Sequence, residues 1–100
     1  SAGVLKIDAT KTEADMIAFS GHKGLMGPTG TGLMVVKNDI QLDSIIEGGT
    51  GSNSMSATQP DILPDKFESG TPNVQGIIGL SSALDFIKKN NINKAKEIVL

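Results

Sequence analysis

Apolar residues gather in three blocks along the chain, with long polar stretches between them. "MIAFS" at 16–20 is an apolar run of strand length, bounded by Asp15 and Gly21. "GLMVVK" at 32–37 is a second such run, closed by the turn-forming pair Asn38 and Asp39. Neither run alternates between apolar and polar, and continuous runs predict strands covered on both faces, as in an α/β sheet. In the third block, "TPNVQGIIGLSSALDFIKKN" at 71–90, Val74, Ile77, Ile78, Leu84 and Ile87 recur at helical spacing. Leu80 and Ala83 broaden that face, and the stripe predicts core packing. Thr71 or Asn73 can cap this helix, Pro72 fits near its first turn, and Lys88 and Lys89 suit the negative end of its dipole.

The remaining segments carry weaker patterns. "VLKI" at 4–7 predicts a short strand or extended connector, "KTEAD" at 11–15 a polar helical turn or loop, and "INKAKEIVL" at 92–100 a further helix. Residues 39–70 are rich in Gly, Ser, Asp and Pro. A loop of that length inside one domain is uncommon and tends to be functional or disordered. Its second half, "QPDILPDKFESG" at 59–70, has the pattern of a proline-rich surface connector, to which no catalytic role is assigned. Two strands and two helices are too few for an independent parallel sheet. With a start at Ser1 and an end inside a helical pattern, the 100 residues are expected to be an internal piece of a larger α/β domain, incomplete at both ends.

Composition narrows the chemistry. Cysteine is absent, which excludes disulfides, thiolate metal sites and a cysteine nucleophile within the chain. Arginine is absent too, so the nine lysines carry all the positive charge and no bidentate guanidinium clamp is available. A net charge of −2 provides no basic field for nucleic acid or anionic membranes. No apolar run approaches the ~18 residues of a membrane span, and the opening residues lack a charged-then-apolar leader. A soluble, cytoplasmic protein is the expectation.

"FSGHKGLMGPTGTG" at 19–32 concentrates the candidate chemistry, with the single histidine, His22, directly before Lys23. A nucleotide-phosphate loop needs its lysine after the last glycine and at a helix start, but Gly32 runs into Leu33 and an apolar strand. The dinucleotide fingerprint fails for the same reason, since no helix opens after Gly30 and Gly32. A metal site has one histidine, no cysteine and no ligand-like spacing of carboxylates, so no metal is expected. No G-x-S-x-G nucleophile elbow occurs.

A third reading places Lys23 just past the carboxyl end of a strand, where ligands of open α/β sheets sit. A partly desolvated lysine there can lose its proton near neutrality and form a Schiff base with an aldehyde. Ser20 and His22 add a hydroxyl and an imidazole suited to a phosphate. Glycines 24, 27, 30 and 32 allow a tight turn against a flat cofactor. An aldehyde that carries a phosphate fits this set, and pyridoxal phosphate is such a molecule. On residue types alone, an ordinary surface lysine beside a turn fits equally well.

The same residues carry a resemblance. "FSGHKGLMGPTGTGLMVV" is similar to the cofactor-lysine signature of the class V aminotransferase and cysteine desulfurase family of fold-type-I pyridoxal-phosphate enzymes. In that signature an aromatic-Ser-Gly-His-Lys run leads through a Gly-Pro turn into an antiparallel strand. "EGGTGSNS" at 47–54 and "FESGTPN" at 67–73 match in the family's order, and "SAGVLKID" resembles the segment after its Asp-Ala-x-Gln motif. The resemblance implies part of the α/β large domain, with pyridoxal 5'-phosphate as cofactor. It makes Lys23 the residue that holds the cofactor as an internal aldimine and shuttles protons, and Ser20 and His22 its phosphate ligands. It makes Thr71 a residue that reaches the phosphate of the neighbouring subunit in a homodimer, with Gly48 and Gly49 near the same interface.

The implied reaction is removal of sulfur from L-cysteine, giving alanine and a persulfide, with a sulfur-acceptor protein as partner. A class V aminotransferase or related lyase acting on another amino acid is the alternative, and a non-catalytic scaffold piece is a third. The family's pyridine-pairing aspartate lies upstream of the stretch matched here, and its reactive cysteine and carboxylate-binding arginine lie downstream. The isolated chain is therefore expected to be inactive.

Overall fold

The two apolar runs pair with each other. In a computed structural model that describes residues 2–90, β1 (Met16–Ser20) and β2 (Gly32–Val36) form an antiparallel ribbon. Met16 stands opposite Val36 and Ser20 opposite Gly32. The ladder continues one step past each end, through Gly21 N–H to Thr31 O (2.8 Å) and Lys37 N–H to Asp15 O (3.1 Å). The Lys37 ammonium also meets the Asp15 carboxylate at 2.9 Å, so the open end of the ribbon is pinned by backbone and side chains together.

The antiparallel pairing agrees with the family signature, but the expected cover on both faces is not found among the described residues. Met34 is 59% exposed, and Leu33, Val35 and Met16 are exposed as well. A two-stranded ribbon has only a neighbouring loop or helix to lean on, and its outer positions stay open.

The described residues divide into two units, one holding the chain up to Ile40 together with the helix, the other Gln41–Asn73. In the first unit, α1 (Val74–Asn90) begins two residues later than a cap at Thr71 predicts. Asn73 occupies the position before the first helical residue, while Thr71 and Pro72 lie outside the helix. Lys88 and Lys89 fall in the last turn as the charge pattern predicts.

The apolar stripe divides into two faces. Gly76 and Leu80 are buried and Gly79, Ala83, Leu84 and Ile87 half-buried, whereas Val74, Ile77 and Ile78 are exposed. Gly79 sets this choice: a Cβ there would come within 2.6 Å of Pro28 Cγ. The helix therefore turns its least bulky edge to the loop between the strands, and the β-branched residues beside that edge face outward.

Leu25 (6% exposed) and Leu80 (5%) are the buried hydrophobic residues among those described. Leu80 Cδ1 lies over Gly27, where an added Cβ would meet it at 2.6 Å. No strand forms at 4–7. Instead Gly3 and Val4 form a turn between Ala2 and Leu5, which make an isolated bridge. Residues 8–11 make a turn in which the Asp8 carboxylate accepts the Thr10 hydroxyl (2.6 Å) and the Thr10 N–H (3.0 Å). The side-chain hydrogen bond is the larger cause that holds the Asp8 carboxyl below its ordinary range. The helix predicted at 92–100 lies outside the described residues.

The second unit contains one short 3-10 turn, Asp65–Phe67, and otherwise irregular backbone. Of its residues only Thr50, at 2% exposed, is buried. No helix among the described residues is long and apolar enough to cross a membrane.

Candidate functional site

Ser20 is the last residue of β1, and the chain leaves the strand there to make the turn that carries His22 and Lys23. Three backbone hydrogen bonds shape that turn. Gly21 N–H donates to Thr31 O (2.8 Å), Met26 N–H to Lys23 O (2.9 Å), and Gly27 N–H to Gly21 O (2.7 Å). Gly21 thus joins both strands to the return of the loop. It has no room for a side chain, because a Cβ would lie 2.2 Å from Thr31 Oγ1. Thr31 Oγ1 donates to Pro28 O (2.6 Å) and closes the second half of the loop. Met26 takes a left-handed backbone (φ 59°), uncommon for a residue with a side chain, so the bend after Lys23 is imposed by its surroundings.

The turn at residues 2–5 packs against the residue that follows the lysine. A Cβ on Gly3 (φ 88°) would fall 1.8 Å from Gly24 O, and one on Gly24 would fall 2.3 Å from Ala2 O. Two glycines are needed for backbone to cross backbone this closely. The residue after Lys23 is therefore held by the chain's first turn. Leu25, next in sequence, is buried and anchors the loop from inside.

The structure brings three of the four predicted site residues together. Ser20 Oγ and His22 Nδ1 lie 3.3 Å apart, with the serine donating when the imidazole proton is on Nε2 and accepting when it is on Nδ1. Lys23 follows directly, and its side chain is exposed, as is that of His22. The partial desolvation expected for this lysine is not supplied by the described residues. Thr71 is exposed and belongs to the second unit, one residue past Gly70, whose N–H donates to Gly48 O (3.1 Å).

The donor set suits a phosphate-bearing aldehyde. Hydroxyl, imidazole and amine groups stand on one turn, and residues 16–38 contain no aspartate or glutamate to repel an anion. Among the described residues no group of three or more His, Cys, Asp and Glu is placed to hold a metal ion.

Sequence reasoning missed Gln59 and Thr50. Gln59 falls in the stretch expected to be a plain surface connector, yet its side-chain amide makes four hydrogen bonds to residues six to eleven positions away. No local pattern marks such a residue. The nearest signal was the absence of apolar periodicity between 39 and 70, which leaves polar side chains as the available means of ordering that stretch.

A family model described as "Aminotransferase class-V" matches residues 1–99. The chain is 39% identical over 104 residues to a probable cysteine desulfurase of Pyrococcus abyssi, covering 97% of this chain and 25% of that protein. It is 40% identical over 96 residues to a cysteine desulfurase of an Enterobacter species, covering 91% of the chain and 23% of the relative. The apo structure of a cysteine desulfurase from Thermococcus onnurineus NA1 matches with a TM-score of 0.78 at 37% identity, over 97% of this chain and 25% of that one. The chain spans about a quarter of the length of these relatives.

Proposed function

Since the chain belongs to the class V aminotransferase family, we propose that it is the lysine-bearing segment of a pyridoxal-phosphate-dependent cysteine desulfurase. Residues 1–100 would form part of the cofactor-binding large domain, continued on both sides, in a cytoplasmic homodimer. The observation that carries this reading is the turn that sets Ser20, His22 and Lys23 side by side in a loop free of carboxylates. The desulfurase names of the relatives select the reaction within the family.

Lys23 Nζ would hold the aldehyde carbon of the cofactor and then move a proton at the substrate Cα. The Ser20 hydroxyl and His22 imidazole would bind the phosphate, and their mutual contact would hold the two side chains beside one anion. Thr71 would add a hydroxyl to the phosphate held in the neighbouring subunit. The bound cofactor supplies a conjugated electron sink for cleavage of bonds at that carbon. The balanced reaction takes L-cysteine and an enzyme thiol to alanine and an enzyme persulfide. The chain has no cysteine, so that thiol must lie outside these residues, and the chain alone is expected to release no alanine. A sulfur-acceptor protein would then unload the persulfide.

The test is a Lys23→Ala variant of the complete enzyme that carries this segment. Alanine formation from cysteine should fall at least ~10²-fold, the lower range for loss of a positioned proton-transfer group. Borohydride reduction in the presence of pyridoxal phosphate, followed by peptide mapping, should mark Lys23 in the parent and not in the variant. Unchanged alanine formation, or label spread over the nine lysines, would remove Lys23 from the role.

A further inference from the structure

The geometry points to Gln59 as a positioning residue that presents Thr71 to the cofactor phosphate, an assignment that rests on the reading of Thr71 given above. Gln59 is half-buried, and its amide faces one way only. Nε2 donates to Asp65 O (3.0 Å) and Lys66 O (3.4 Å), and two carbonyls on that side require the nitrogen there. Oε1 is thereby turned to the opposite side, where it accepts the Gly48 N–H (3.0 Å) and the Thr50 hydroxyl (2.5 Å). Thr50 Oγ1 also lies 3.0 Å from Glu68 O, and its single proton is shared between two acceptors. Gly70 N–H closes the set on Gly48 O (3.1 Å).

One side chain thus draws 48–50 and 65–66 together, and its partners extend the bonds to Glu68 and Gly70, the residue before Thr71. The glycines at 48, 49 and 70 all have positive φ (95°, 67° and 72°), so the backbone there takes turns that few other residues accept. Among the described residues, the two buried hydrophobic ones, Leu25 and Leu80, belong to the other unit, and the second unit buries Thr50 instead. Hydrogen bonds, which are directional, fix the conformation of this stretch where apolar contact would leave it free to slide. A loop ordered before the anion arrives does not lose that freedom on binding.

The experiment compares affinity for pyridoxal 5'-phosphate with affinity for pyridoxal, which lacks the phosphate, in the complete apoenzyme that carries this segment. Parent, Gln59→Leu, Thr71→Ala and the double variant are measured, each with its melting temperature. Thr71→Ala should weaken phosphate-bearing cofactor by roughly 10-fold or more, as for loss of a hydrogen bond to a charged group. Gln59→Leu should weaken it by about 2- to 10-fold. Neither should change the affinity for pyridoxal, and the double variant should bind no worse than Thr71→Ala alone.

Equal weakening toward both ligands, or a penalty additive to that of Thr71→Ala, would make Gln59 a structural residue only and overturn the assignment. Loss of phosphate preference in Thr71→Ala with full preference in Gln59→Leu would overturn the role of Gln59 and leave that of Thr71 standing. Full preference in Thr71→Ala would overturn both. Thr50→Val is nearly isosteric and removes the hydroxyl between Gln59 and Glu68. It gives the same comparison, with the same expected direction, where Gln59→Leu does not fold.

Discussion

At the scale of the residue, what could be read in advance was contiguous. Ser20, His22 and Lys23 occupy four consecutive positions with Gly21, so residue types and spacing sufficed to place a hydroxyl, an imidazole and an amine on one turn. Gln59 and Thr50 were invisible for the opposite reason, since their meaning depends on which carbonyls the folded chain brings near them. The close approach of Gly3 and Gly24 belongs with them, because nothing in "SAGV" announces a partner twenty-one residues away. Replacement of Gly3 by alanine asks a side chain to adopt φ 88° and to overlap Gly24 O, and should cost about 1–3 kcal/mol. Denaturant unfolding of the complete enzyme that carries this segment measures that cost. A Gly24→Ala variant should also lower the share of pyridoxal label carried by Lys23 relative to the other lysines. An unchanged share would mean that the first turn does not support the lysine.

At the scale of the element, the strand runs and the main helix were legible because each is long and uniformly patterned. The inward face of α1 was not, since periodicity counts apolar side chains while close packing selects the edge with the least bulk, here Gly76, Gly79 and Leu80. The ribbon offers a charge test at its open end. The hydrogen bond to Asp15 raises the Lys37 ammonium above its ordinary 10.5. A cation with a raised folded-state value stabilises fully below 10.5 and loses that contribution as pH climbs through the folded value. Nuclear magnetic resonance titration should therefore find Lys37 losing its proton later than the same lysine in an Asp15→Asn chain. The difference should shrink in 1 M salt, where screening acts over about 3 Å, because both side chains are exposed. Identical titrations in the two chains would mean the pair does not persist in solution.

At the scale of the whole molecule, the shortage of strands was apparent from the sequence, and the exposed faces are its physical expression. Met34, Ile77, Ile78 and Phe86 in the first unit and Ile45 and Met55 in the second stand open, the last two at 97% and 96%. On the function proposed above, these side chains would be covered by the rest of a longer enzyme, since the chain spans about a quarter of the relatives it matches, and no pattern within these residues could specify that cover. The isolated chain should bind an apolar dye such as anilinonaphthalene sulfonate and melt over a broad range, whereas the complete enzyme should do neither. A sharp calorimetric transition with no dye uptake would show that the hundred residues are self-sufficient. The crossing of Gly3 over Gly24 bears on any attempt to shorten the protein. Residues 2–5 form only a turn closed by an isolated bridge and look dispensable beside the strands and the helix, yet their backbone packs against the loop that carries the lysine. A chain cut to start at residue 6 would keep every residue of the lysine turn and lose what that turn rests on.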